Sequence, residues 1–417
     1  MSIFDFFRRA PLPSPPQAQI FGDGMVFEDL KDPRLAAFLA AGTHSSSGVT
    51  VNVDAAMTNT AVFRCVSLIS FAMGMLPLHL IREDTKKKAD DHPLFRLLHR
   101  EPNNWQTAFD FRSLMQLRAL VNGNAYALIV RSRGQVIRLV PLDPNRVTPV
   151  QNADWSVSYR YNAPGGGHRD LAPEEVFHLR GLSMDGISGI SLVQQARDVI
   201  GLALAADLAI GRVFKNGAFV DGSLVLPPGG KLSPEQIERL RETWAERYSG
   251  SGNAGKTPLL EEGLEYKVSS SSPRDAQFHE TRGRQIEEIA RVFGVPRPLL
   301  FVDETSWGSG IDVLGQFFVR YGLNPWFEAW QQAIERSLLV GREKDELSAK
   351  FNAGALLRGS MKDQGEFFAR ALGSGGHRPW MTANEVRDML DMPEHEDGSG
   401  LAVAPPSENQ NEPAPTT

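Results

Sequence analysis

The sequence predicts an α+β chain organised in several regions, and three observations carry that prediction. Helical apolar periodicity alternates with short strand-like runs over residues 57 to 190. Within that span, "AYALIVRSRGQVIRLVPL" reads as a hairpin, with apolar residues at period two on both sides of Gly134. Beyond residue 190 two long helical patterns enclose a compact segment of different character.

Residues 1 to 56 mix Pro, Gly and Ser ("PLPSPPQ", "GTHSSSG") and read as a flexible N-terminal arm. A helix is expected in "MTNTAVFRCVSLISFAMGM", with Thr58 or Thr60 as its N-cap, followed by a short strand "LPLHLI". Asp84, Asp90 and Asp91, around "KKKADD", read as a solvated hairpin tip rather than a carboxylate site. In "PNNWQTAFDFRSLMQLRALVNGN" Thr107 is placed to cap a second helix and Asn122-Gly123 to stop it. After the hairpin, "WSVSYRYN", a glycine-rich turn and "EEVFHLR" add further strands.

"SLVQQARDVIGLALAADLAIGRVFKNG" predicts a long helix rich in small residues, ending at Asn216-Gly217. The insert 217 to 274 holds a strand "SLVLP", a helix started by Ser233-Pro234-Glu235, a loop "SGSGNAGKT" and "PLLEEGLEYKVS". A second long helix, "DAQFHETRGRQIEEIARVF", runs into "GVPRPLLFVDETSWGSG". A third, "IDVLGQFFVRYGLNPWFEAWQQAIERSLL", contains Pro325, which removes one hydrogen bond and should kink it.

Composition narrows the classes. In 417 residues, 41% hydrophobic and 23% charged content allows a sizeable core, and the length suits two or three domains. A net charge of −6 is the wrong sign for broad, tight binding of phosphate backbones. The lone Cys65 excludes intramolecular disulfides and fits a reducing compartment. "MSIFDFFRRAPLPSPP" places its basic residues after the apolar ones, unlike a secretory signal, and no run approaches the roughly 18 apolar residues of a membrane span. The 9 histidines are scattered without metal-ligand spacing, so no metal and no cofactor is expected.

One motif points elsewhere. Gly250 to Thr257, "GSGNAGKT", matches the phosphate-cradling loop of nucleotide-binding proteins, and Asp303 and Glu304 in "LLFVDE" would then hold magnesium. That chemistry needs strand, loop, helix in order, so that a helix N-terminus faces the phosphates. Here Ile237, Leu240, Trp244 and Tyr248 bring helical spacing into the loop, and Pro258 with "LLEEGLEYKVS" leaves no room for a helix behind it. A nucleotide-binding motor component stays as the alternative to a non-catalytic protein.

Seven segments in one order resemble the portal proteins of long-tailed double-stranded DNA phages: "AVFRCVSLISFAMGMLPLHLI", "HPLFRLLHREPN", "LVNGNAYALIVRSRGQVIRLVPLDPNRVTPV", "EEVFHLRGLSMDGISGISLV", "FKNGAFVDGSLVLP", "EEIARVFGVPRPLL" and "NEVRDMLDMPE". They span about 60 to 390. "ALLRGS" departs from the family pattern, which often has Asp after the Arg, at the join to the last region. The resemblance extends to the portals of gene transfer agents, which are phage-derived particles.

The resemblance implies a non-enzymatic ring, a dodecamer, around a central DNA channel at one capsid vertex of a virion or phage-like particle assembled in the bacterial cytoplasm. It implies a wing at 57 to 190, stem helices at 191 to 216 and 275 to 294, and a clip at 217 to 274. A channel loop at 295 to 310, a kinked helix and wing return at 311 to 358, a crown at 359 to 397 and a disordered tail at 398 to 417 complete the map. Expected partners are further copies of the chain, double-stranded DNA passing non-specifically, the large terminase, the head-tail adaptor and the major capsid protein, with no membrane. Clip contacts are expected at Trp244, Glu261 and Glu262, and the channel-lining segment at Asp303, Glu304, Thr305, Ser306, Trp307, Gly308, Ser309 and Gly310. In such a ring the two carboxylates would make that segment slippery to phosphates; the alternative reading is a linker between two helices.

Overall fold

Asn59, rather than either neighbouring threonine, starts the first long helix. In the computed structural model, which describes residues 43–216, 222–227, 232–248, 264–268, 272–301, 310–352, 361–376, 378–390 and 392–401, helices α1 (Val53–Thr58) and α2 (Thr60–Met75) meet at this residue. Its side-chain oxygen accepts from the amides of Ala61 and Val62 at 3.0 and 3.2 Å. Thr58 closes α1 and Thr60 opens α2, so the expected threonine cap is corrected: one amide oxygen serves two otherwise orphaned N–H groups.

The arm expected over 1–56 is structured from Thr43 onward. Strands β1 (Thr43–His44) and β2 (Thr50–Val51) pair antiparallel. The Ser46 amide donates to Asp198 at 2.9 Å, and a Cβ on Gly201 would stand 2.2 Å from the Ser45 hydroxyl. The hairpin therefore packs on a helix bearing glycine at the contact.

The main core lies between helices and a sheet. Helix α2 packs on α4 (Ala108–Asn122), which Thr107 and Asp110 start with a capping box and Gly123 ends in the left-handed region. Arg112 crosses this interface, buried, and donates to the carbonyls of Met73 (3.3 Å), Gly74 (2.6 Å) and Leu98 (2.7 Å) at the ends of α2 and of α3 (Pro93–His99). Burial pulls its guanidinium pKa down to about 10. After α2, β3 (Leu78–Arg82) leads into a turn where Arg82 clasps Asp91 at 2.8 and 2.6 Å, and Asp84 is exposed.

Strand β4 (Asn124–Ser132) is central, flanked by β5 (Gln135–Leu142) and β9 (Val176–Arg180). Arg133 and Gly134 both take positive φ (50° and 84°), giving the tight hairpin expected at Gly134. A second antiparallel sheet, β6 (Val147–Gln151), β7 (Val157–Asn162) and β8 (His168–Leu171), shares a smaller core with the first through Tyr126, Tyr159 and Val176.

Helix α5 (Arg197–Asn216) leads to β10 (Gly222–Val225), α6 (Pro234–Tyr248) and β11 (Glu265–Val268), which pairs antiparallel with β10. Helix α7 (Ser272–Phe293) returns along α5, with Arg282 and Asp207 ion-paired at 3.6 Å. Next come α8 (Gly310–Phe317), a π-helical segment Phe318–Leu323 and α9 (Asn324–Ser337). Where Pro325 is expected to disturb the helix the chain turns π-helical, and the proline, in the first turn of α9, has no N–H for the Tyr321 carbonyl. Trp330 of α9 is buried beside Phe177, and its indole N–H donates to Gln116 of α4 at 2.8 Å. Strand β12 (Leu347–Phe351) then pairs antiparallel with β3. Helices α10 (Met361–Ala371) and α11 (Ala383–Met389) close a small core of Ala371, Met381 and Val386, and Lys88 reaches Asp388 at 2.9 Å.

Candidate channel loop and inserted module

The segment 302–309 departs from an anchored turn. Helix α7 ends in a Schellman motif: Gly294 has φ of 69°, the Val295 amide donates to Ala290 (2.9 Å), and the Gly294 amide donates to Arg291 (3.3 Å). Ile289, Phe293 and Val295 are buried at this end. A 3-10 turn, Arg297–Leu300, follows, and Phe301 then enters the left-handed region, an exposed residue. Arg64 of α2 clamps the departure point, donating to the Leu299 carbonyl (3.4 Å) with its guanidinium 5.3 Å from the Phe301 ring centroid. Arg297 pairs with Glu287 at 3.3 Å.

Gly310 opens α8, and the return path passes the departure point. Gly322, in the π-helical segment, lies against the Gly294 carbonyl. One face of this path is apolar and exposed: Val313, Phe317 and Tyr321 recur at helical spacing, and the last two rings are 4.6 Å apart.

Among the described elements of the inserted module, α6 precedes the glycine-rich loop and β11 comes after it, the reverse of the order a nucleotide cradle needs. The loop Gly250–Thr257 itself lies outside the described residues. "LLFVDE" does not begin as a strand either, because residues 297–300 form a 3-10 turn and Phe301 has a φ of 59°. The nucleotide-binding alternative therefore has no support.

The family model described as phage portal protein matches residues 60–391. The chain belongs to the phage portal protein family. The portal protein of Enterobacteria phage HK97 is 35% identical over 350 residues, covering 82% of this chain and 81% of that protein. Among solved structures, the neck of an empty gene transfer agent (GTA) particle computed with C6 symmetry contains a chain with a TM-score of 0.59 at 25% identity, covering 87% of this chain and 99% of that one. The neck of a native GTA particle computed with C12 symmetry has a TM-score of 0.57 at 25% identity, with the same coverage. The α+β portal fold expected from the seven sequence segments is thereby established.

Of the site residues expected in this portal protein, Trp244 sits half-buried on α6 and Gly310 begins α8. Glu261 and Glu262, like Asp303, Glu304, Thr305, Ser306, Trp307, Gly308 and Ser309, lie outside the described residues. The anchors Arg64, Arg297 and Gly322 escaped sequence reading. Only Gly294, in the Gly-Val-Pro that ends α7, left a local signal. Among the described residues no three His, Cys, Asp or Glu gather as a metal site, and no helix is long and apolar enough to cross a membrane.

Proposed function

We propose that this portal protein forms a dodecameric ring at one capsid vertex of a phage or GTA particle, with an axial hole through which double-stranded DNA passes during packaging and ejection. The observation that carries this reading is the placement of two features at opposite ends of α7. The inserted module joins its N-terminal end and the anchored segment leaves its C-terminal end. With 22 residues, α7 separates them by about 33 Å. A partner can then dock on the module while the other end faces the channel.

In this reading residues 57–190 and 311–358 form the wing, which meets the major capsid protein, and 191–216 with 275–294 form the stem. The clip, 217–274, docks the large terminase and later the head-tail adaptor, with Trp244, Glu261 and Glu262 contributing contacts. Its 7 basic and 8 acidic residues favour docking by shape and apolar contact over electrostatic steering. The crown is 359–397, and 303–310 lines the channel. Self-association would cover the exposed stripe Val313–Phe317–Tyr321 and the exposed face of α2 carrying Phe63, Phe71 and Met75. The protein needs no cofactor and performs no catalysis, a separate ATPase driving the DNA.

Negative-stain imaging of the purified chain tests the ring directly. Rings with an axial hole are expected, whereas monomers at every concentration tried would defeat the reading. Lys256→Ala should leave particle yield unchanged and nucleotide binding undetectable in both proteins.

A further inference from the structure

Away from the channel, a cleft of about 500 Å³ opens where β4, β7 and β9 meet the end of α9. Four cations line it: Arg131 of β4, Arg180 of β9, Arg336 in the last turn of α9 and Lys344 just beyond. Glu174 is the single carboxylate among the lining residues. Three positive charges are thus left unmatched in the wall of a protein whose net charge is −6.

The hydrogen bonds of these cations position them without neutralising them. Arg131 donates to the Ser337 carbonyl (2.7 Å), Arg336 to that of His178 (2.9 Å), Lys344 to that of Arg336 (3.3 Å) and Arg180 to that of Gly186. Among the described residues none of the four forms an ion pair with a carboxylate. Arg131 also keeps one terminal nitrogen, Nη1, buried and without a partner among them. Asp185, beside the wall at Gly186, is already engaged by the amides of Ile187 (2.8 Å) and Ser188 (2.7 Å) and the Ser183 hydroxyl (2.9 Å). The positive field registers on His178 in the floor: burial first, then Arg336 and Arg180, push its pKa down to about 3.

Like charges gathered in one cleft and held by backbone carbonyls rather than carboxylates form the wall of an anion site. We propose that this cleft binds a free phosphate or small phosphate monoester, its oxygens taken by Arg131, Arg180, Arg336 and Lys344. The volume is that of a small-ligand pocket, far below what a duplex segment needs. Three unmatched charges favour a dianion over a single carboxylate. This goes beyond the channel reading and does not depend on it.

The test is thermal unfolding of the full-length protein as chloride is replaced by inorganic phosphate at constant ionic strength. Parallel arms use a short DNA duplex at equal phosphate concentration and glutamate in place of phosphate. A saturable rise of about 2 to 4 °C with a millimolar midpoint is expected in phosphate alone. Lys344→Gln, at an exposed position, should raise that midpoint about two- to fivefold. Arg180→Gln should do the same, and Arg370→Gln, exposed on α10, which contributes nothing to the lining, should leave it unchanged. No rise beyond chloride, or a rise that Lys344→Gln and Arg180→Gln leave untouched, would overturn the proposal. An equal rise in glutamate would assign the cleft to an acidic side chain of another protein, and an equal rise with duplex would assign it to DNA. Either result also overturns it.

Discussion

Gly322 and Gly294 meet backbone to backbone: a Cβ on Gly322 would stand 3.0 Å from the Gly294 carbonyl oxygen and 2.9 Å from the Phe318 ring. Phe318 is itself buried, so the ring has little room to withdraw. One contact thus ties the helix entering the candidate channel segment to the helix leaving it. Gly322→Ala should cost about 1 to 3 kcal/mol of stability by overpacking. Gly294→Ala should cost about 1 kcal/mol through its left-handed φ alone. Because the two sites touch, the double mutant should depart from additivity in chemical denaturation by at least about 0.5 kcal/mol.

Trp330 makes a second measurable tie, between α9 and α4. Trp330→Phe retains most of the apolar volume but strands the buried Gln116 oxygen, at a cost of about 1 to 3 kcal/mol. Trp330→Ala adds a cavity and should cost about 3 to 5 kcal/mol. Pairing Trp330→Phe with Gln116→Leu should recover much of the first loss, because both polar partners are then gone. Denaturant midpoints for the single and double variants check this.

His178 makes stability depend on pH. Its Nε2 faces the Asn124 side-chain oxygen at 2.9 Å and its Nδ1 faces the Tyr159 hydroxyl at 3.2 Å, so the neutral ring is fully paired. With a folded pKa near 3 against an ordinary 6.5, the unfolded chain binds the proton more readily throughout that interval. The contribution is therefore complete above pH 6.5 and declines by about 1.4 kcal/mol per unit as pH falls toward 3. His178→Gln should be less stable at pH 7 yet show a shallower decline between pH 6 and 4. Equal slopes for the two proteins would refute the assignment.

Much of this architecture was legible where local chemistry decides it. Thr107 and Gly123 bound α4, and Gly134 turns the hairpin, because caps and positive φ depend on a few adjacent residues. The Asn59 cap was missed because two threonines flank it and compete for the same role. The arm boundary was missed because the Ser45 contact with Gly201 joins residues remote in sequence. The same holds for the cleft cations: Arg131, Arg180, Arg336 and Lys344 are brought together by strand pairing and helix packing, which no window on the sequence contains. Pro325 signals a disturbance of the helix, but not that it takes the form of a π-helical segment over Phe318–Leu323.

The channel reading of residues 303–310 rests on Asp303 and Glu304 discouraging phosphates, and charge reversal tests it most sharply. Shortening the segment should spare ring assembly, since the exposed apolar faces proposed to join subunits lie on α2, α8 and the π-helical segment. It should instead reduce packaged DNA or its retention. Replacing both carboxylates with Lys should be worse than deleting them. Each subunit would then present two cations to passing DNA, and ring symmetry multiplies them into roughly two dozen potential phosphate contacts. At about 0.9 in logarithmic salt slope per contact engaged, even a fraction of these would grip DNA at low salt and release it steeply as salt rises. The measurement is DNA content per particle for wild type, the shortened loop and Asp303→Lys/Glu304→Lys, with retention followed across a salt series. The double-Lys particles should be the emptiest and the most salt-sensitive. Equal content and equal retention in all three would reduce the segment to a linker between α7 and α8.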